Sequence, residues 1–278
     1  MVAKYAAGRV INSPRVHAAD ALQNMTGDGA RRVATAAGAL LLAAGDCDAF
    51  GPDPQALFSP AYWQARGALQ PTSRGRGSSW FVTTGTGDRW ALRHYRRGGW
   101  LATQVALDSY LWRGEAAVRA FAEWRLLAAL HALGLPVPEP VGASYQRTGL
   151  TYRCDLITRR IPAAEPLSDL LADRPADATR WSAVGTLVGR LHAAGCDHAD
   201  LNAHNLLVAA DGSLSIVDFD RGRLRPPGAW QAANLSRLQR SLVKVTADLP
   251  AGRFTPADWS ALLDGYRSVG RVAAGGAG

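Results

Sequence analysis

His198-Ala199-Asp200-Leu201-Asn202-Ala203-His204-Asn205, with Asp218-Phe219-Asp220 further on, is the stretch on which the fold turns. Between the two strings, Leu206-Leu207-Val208 and Leu214-Ser215-Ile216-Val217 read as short strands joined across Asp211-Gly212, a hairpin signal. A tight hairpin returns the chain on itself. Asp200 and Asn205, just before the first strand, and Asp218, ending the second, are therefore expected to converge at one end. Two carboxylates and an amide in that position suit phosphoryl transfer, which needs positioning and charge neutralisation more than covalent help. Asp200 is the candidate base for an acceptor hydroxyl, and Asn205 and Asp218 are the candidate ligands for Mg²⁺ against the phosphates.

The same segment can be drawn as a metal cluster of His192, His198, Asp200 and His204, since imidazole-rich sites suit zinc or iron. That drawing leaves Asn205 and Asp218 without a role. His192 also shares a helix face with Leu187 and Leu191, so it is expected to pack in the core, with His198 an internal strut of the loop.

Outward from the hairpin, Trp181 to Ala194, Asn234 to Thr246 and Asp258 to Val269 read as helices. Upstream, Gly38 to Ala44 reads as a buried strand, and Phe58 to Gln64, with Pro60 early, as a short helix. Trp80-Phe81-Val82 and Trp90-Ala91-Leu92 read as strands around the turn 85–88, and Tyr152 to Ile157 as another. Ala116 to Leu133 carries a helical apolar face through Val118, Phe121, Leu126, Leu130 and Leu133, ended by Gly134 and a proline-rich run. The expectation is an α+β bilobal fold, with an antiparallel-sheet N-lobe carrying one helix and a mostly helical C-lobe. The N-lobe is read over 35–160 and the C-lobe over 161–270, flanked by a loosely ordered leader (1–34) and a disordered tail (271–278).

At 278 residues, with 47% hydrophobic and 19% charged content, the chain can bury a sizeable core. No apolar run is long enough to cross a bilayer and nothing reads as a secretory signal, so a cytoplasmic location is expected. Cys47, Cys154 and Cys196 are scattered, which argues against a disulfide framework or structural zinc. The net charge of +8, mostly arginine, suggests an anionic partner, and follows equally from a GC-rich coding bias. No aromatic-basic motif supports a nucleic-acid partner.

The compound string H-x-D-L-x-x-x-N followed by D-F-x resembles the catalytic and metal loops of protein kinases. On that resemblance, Gly75-Arg76-Gly77-Ser78-Ser79 takes the place of the glycine-rich loop over the ATP phosphates, although Trp80 stands where a third glycine is usual. Arg93, in Ala91-Leu92-Arg93, takes the place of the phosphate-binding lysine, and Glu123 that of its helix partner. A basic pseudokinase that binds without turnover is the reading these departures would favour.

More of the chain resembles the Kdo kinase family, which acts on 3-deoxy-D-manno-octulosonic acid (Kdo). The resemblance lies in Arg74-Gly75-Arg76-Gly77, Ala91 to Gly99, Gly134-Leu135-Pro136-Val137-Pro138, His198 to Asn205, Val217 to Gly222 and Asn234 to Ser241, and covers roughly Gly38 to Tyr266. It implies ATP- and Mg²⁺-dependent phosphorylation of the 4-hydroxyl of Kdo on a lipid A precursor. That is a step of lipopolysaccharide inner-core assembly at the cytoplasmic side of the inner membrane. It also implies Asp200 as base and Asn205 and Asp218 as metal ligands. A non-protein acceptor fits the residues themselves: no A-P-E follows Asp220, and Ala199 removes the arginine that reads activation-loop phosphate. A glycolipid acceptor requires contact with the anionic membrane surface. Arg96, Arg97, Arg113, Arg237, Arg240 and Lys244 could each supply about 1 kcal/mol there, with Trp100 and Trp112 as anchors. A soluble aminoglycoside- or choline-type phosphotransferase shares the same core pattern and is the other enzyme reading.

Overall fold

The computed structural model describes residues 29–45, 50–72, 78–96 and 108–275. Gly75, Gly77, Arg97, Trp100 and Cys47, singled out above, lie outside them. The strands are β1 (Ala30–Thr35), β2 (Gly38–Ala43), β3 (Leu69–Pro71), β4 (Ser79–Thr83), β5 (Arg89–His94), β6 (Tyr110–Leu111), β7 (Pro140–Thr148) and β8 (Thr151–Arg159), then β9 (Ala164–Pro166), β10 (Cys196–Asp197), β11 (Leu206–Ala209), β12 (Leu214–Ile216) and β13 (Arg223–Leu224). The α-helices are α1 (Pro60–Gln64), α2 (Arg119–Ala132), α3 (Leu167–Asp173), α4 (Ala178–Ala193), α5 (Ala229–Thr246) and α6 (Pro256–Gly275).

The first eight strands form one antiparallel sheet in the order β1-β2-β7-β8-β5-β4-β3, with β6 pairing β8. Strand alternation sends successive side chains to opposite faces. Leu40, Leu42, Trp90, Leu92 and Ile157 therefore face Phe58 and Trp63, on and beside α1, and Val141 joins them because the register of β7 shifts between Pro140 and Gly142. Leu41, Ala143, Tyr145, Cys154 and Leu156 face Phe121 and Trp124 of α2. This second core continues without a break through Leu135, Leu187, Leu238 and Leu262 into the helical half. The sheet is thus held on both faces, and α2 is fixed between the sheet and the helices.

Two expected boundaries move. Strand β1 begins at Ala30, inside the stretch read as leader, and pairs with β2 across its whole length, from Ala30↔Ala43 to Thr35↔Gly38. Helix α6 runs to Gly275, past the point where a tail was expected; Ala273 and Ala274 give the helix no reason to stop at 271. Helix α2 starts at Arg119, with Glu115–Ala117 forming a 3₁₀ turn before it. It ends where Gly134 adopts φ +69°, so that the Leu135 N–H reaches the Leu130 carbonyl at 3.1 Å. Among the described residues no helix is long and apolar enough to cross a membrane.

Candidate active site

The hairpin forms as its sequence requires. β11 pairs with β12 from Leu206↔Ile216 to Val208↔Leu214, and Gly212 sits at φ +85° in the turn. The Val217 N–H then donates to the Asn205 carbonyl at 2.9 Å, which joins the residue before Asp218 to the loop that carries Asp200. His198, fully buried, is the strut between them. Its Nε2 lies 3.1 Å from the Val217 carbonyl, and its Nδ1 lies 3.2 Å from the Asp200 N–H. One ring nitrogen must therefore donate and the other accept, which only neutral imidazole can do. Burial agrees, holding its pKa below the ordinary histidine value. The His198 ring and the Asn205 carbonyl thereby tie the loop of Asp200 to the residue before Asp218.

Within the loop, the Asp200 carbonyl accepts from the side-chain amides of Asn205 at 2.9 Å and Asn202 at 3.0 Å. Asn202 Oδ1 accepts in turn from the N–H groups of His204 and Asn205. With its amide nitrogen committed to the backbone, Asn205 has its side-chain oxygen as the atom that could bind a cation. His204 lies apart from such a role, with its Nδ1 2.7 Å from Ser168 Oγ. His192 is buried, sits 3.0 Å from the Tyr266 hydroxyl, and is pushed down to about 4 by desolvation. Among the described residues no group of three or more His, Cys, Asp or Glu is arranged to hold a metal ion, so the histidine cluster does not form.

Asp218 adopts φ +66°, a left-handed conformation that non-glycine residues enter at a cost. The bend sends its carboxylate to Arg93, 2.6 Å away, and turns the next N–H, of Phe219, onto Glu123 Oε1 at 3.1 Å. Arg93 Nη1 lies 3.6 Å from Glu123, and Nη2 lies 3.9 Å from Asp220. Burial alone would lower the Arg93 pKa, but these carboxylates outweigh it and hold the guanidinium charged. Glu123 is pushed up to about 7 because desolvation outweighs the attraction of Arg93, and the Tyr95 hydroxyl bonds its second oxygen. Arg119 closes the cluster with a two-pronged contact to Asp220. Ser78 lies at the foot of β4, its carbonyl accepting from the His94 N–H at 2.8 Å.

Several positions that hold this site were not assigned by sequence reasoning. Asn234 accepts from the His198 N–H at 3.1 Å and donates to the buried Asp197 at 3.0 Å, which Arg225 also contacts at 2.9 Å. Ser241 Oγ accepts from the Ala203 N–H at 3.1 Å. Asn234 and Ser241 lie two helical turns apart, so one face of α5 grips both ends of the loop. The signal was present in the string Asn234-Leu235-Ser236-Arg237-Leu238-Gln239-Arg240-Ser241, where polar residues recur at seven-residue spacing among the leucines. A separate groove lined by Pro136, Thr179, Thr186, Arg190, Ser213 and Leu214 shares no residue with the cluster.

The sequence profile of the Lipopolysaccharide kinase (Kdo/WaaP) family matches residues 60–266. A protein of Stenotrophomonas maltophilia (strain K279a) described as 3-deoxy-D-manno-octulosonic acid kinase is 47% identical over 195 residues, 69% of this chain and 76% of the relative. Proteins with the same description from Xanthomonas campestris pv. campestris (strain B100) and Xanthomonas oryzae pv. oryzae (strain PXO99A) are 47% identical over 192 and 193 residues, in each case 68% of this chain and 75% of the relative.

Proposed function

The chain belongs to the lipopolysaccharide kinase (Kdo/WaaP) family and is thereby a phosphotransferase, and we propose that it transfers the γ-phosphoryl group of ATP to the 4-hydroxyl of Kdo on a lipid A precursor. The observation that carries the reading is the double tie through His198 and Asn205, which sets Asp200 beside the stretch that leads from β12 into Asp218.

In this reading Asp200 accepts the proton of the Kdo hydroxyl as its oxygen bonds to the γ-phosphorus. The bond from that phosphorus to the bridging oxygen of the β-phosphate breaks, and ADP leaves. Asp218 and Asn205 offer one carboxylate and one amide oxygen, a sparse set that fits Mg²⁺, which keeps several waters and takes other ligands from the phosphates. When bound there, the ion would neutralise charge on the phosphates. Arg93, kept charged by three carboxylates, has further N–H groups for the α- and β-phosphates. Gly75, Gly77 and Ser78 would cover them, and Glu123 would hold Arg93 in register. Asp200, Asn205 and Asp218 are all present, which counts against the pseudokinase reading.

The test is direct. Incubation with Mg²⁺, ATP and a Kdo-bearing lipid A precursor should yield a glycolipid with one added phosphate at the Kdo 4-position. Transfer to a soluble amino-sugar in place of the glycolipid would support the other enzyme reading instead. A lipid-borne acceptor also calls for attachment at the cytoplasmic face of the inner membrane, to which the exposed Arg240 and Lys244 would offer positive charge. Co-sedimentation with anionic vesicles should be strong at low salt and lost at high salt; equal binding to neutral vesicles would contradict this attachment.

A further inference from the structure

Arg237 stands on the face of α5 that grips the catalytic loop, between the two anchors Asn234 and Ser241. Its Nη1 lies 3.4 Å from Asp200 Oδ1. Both side chains are about half exposed, 49% for Arg237 and 57% for Asp200, so the pair lies at the open side of the site rather than in its core. Neither the phosphates nor the metal loop needs this arginine. Arg93 already lies against Asp218, and Arg119 is engaged with Asp220.

A guanidinium carries five N–H donors in a planar fork, and one long contact to Asp200 uses a single donor. The rest of the fork is unoccupied among the described residues. Such an edge matches a carboxylate, which takes two parallel N–H bonds. The acceptor hydroxyl must come within about 2.6–3.2 Å of Asp200 for proton transfer. Whatever lies one sugar ring away from that hydroxyl then falls within reach of Arg237.

Resting on the reading that the acceptor is an octulosonic acid, we infer that Arg237 binds the carboxylate of the sugar being phosphorylated and thereby selects acidic over neutral sugars. The contact to Asp200 fixes the fork in place before the acceptor arrives. The acceptor carboxylate then completes a row of one cation between two anions, which holds the reacting hydroxyl against the base. Arginine rather than lysine suits this position, because a point charge would attract the acid without orienting it.

The experiment compares kcat/KM for the Kdo-bearing lipid A precursor and for the same glycolipid with the Kdo carboxyl converted to its carboxamide. The native protein should prefer the acid by roughly tenfold to a hundredfold, the worth of a charge-assisted hydrogen-bonded pair. Arg237→Gln should lose most of its activity on the acid and little on the amide, so that the preference disappears, while Arg237→Lys keeps part of it. The thermal shift produced by Mg²⁺ and ATP should be the same in native protein and both variants, which shows that the fold is intact. An Arg237→Gln protein that retains the native preference, or that loses both substrates equally, would overturn the assignment. A native protein that phosphorylates acid and amide equally would overturn it while leaving the Kdo kinase reading standing. A native protein that phosphorylates neither would remove that reading and this inference together.

Discussion

Glu123 is where single-residue physics is most exposed. Its carboxyl is buried, bonded to the Tyr95 hydroxyl and the Phe219 N–H, and lies 3.6 Å from Arg93. Desolvation wins over the arginine and lifts it from 4.5 to about 7. Below pH 4.5 the group is protonated in both folded and unfolded chains; between 4.5 and about 7 the unfolded chain releases the proton while the folded one keeps it. The stability this proton confers is therefore complete below 4.5 and is lost as pH rises to about 7. Glu123→Gln, which copies the neutral form, should lack that loss. The melting temperature of the native protein should fall relative to the variant across this window and run parallel to it above. Parallel curves throughout would show that Arg93 keeps the carboxylate ionised in the fold.

At the scale of elements, the pairing of α4 with α6 depends on glycines, most tightly at Gly185 and Gly265. A Cβ on Gly185 would lie 1.8 Å from the Leu262 carbonyl oxygen, and one on Gly265 would lie 2.0 Å from that of Ser182. Backbone cannot yield as a side-chain tip can, so the helices would have to separate. Gly185→Ala should cost about 1–3 kcal/mol, the range of an overpacked core, and lower the melting temperature by several degrees despite alanine's better helix propensity. An unchanged or raised melting temperature would mean that the helices are not so closely packed. The same scale explains what was legible in the sequence. The hairpin was readable because turn residues and apolar runs sit at short range, and α4 and α5 because their apolar period is long. Strand β7 was not, since Pro140 to Tyr145 is buried on both faces and shows no alternation to read. Strands β10 and β13 are two residues each and exist only as a long-range pair, Cys196↔Leu224 and Asp197↔Arg223. Helix α3 is seven residues long, begins directly after Pro166, and buries Leu167, Leu170 and Leu171, too short a pattern to stand out. At the site, Asp200, Asn205 and Asp218 announced themselves by spacing. Asn234, Ser241 and Arg119 did not, because their partners lie far away in the chain.

In the whole molecule, the site is held from two sides. The sheet and α2 deliver Arg93 and Glu123 to Asp218, whose partner Arg93 is 125 positions away in sequence. The helical half delivers Asp200 and Asn205 through the grip of α5. One continuous core joins the two, so the alignment of Asp200, Asn205, Asp218 and Arg93 is a property of the complete fold rather than of any loop. Part of the excess of positive charge is gathered against carboxylates in the cluster, in Arg93 and Arg119, and part is exposed along α5, in Arg237, Arg240 and Lys244. The most direct check is phosphate transfer from γ-labelled ATP to the Kdo-bearing lipid A precursor, measured for native protein and for Asp200→Asn. The account predicts labelled glycolipid from the native protein and a kcat lower by about 10²–10⁴ in the variant, with the Mg²⁺-ATP thermal shift preserved in both. Native-level transfer by Asp200→Asn would contradict it.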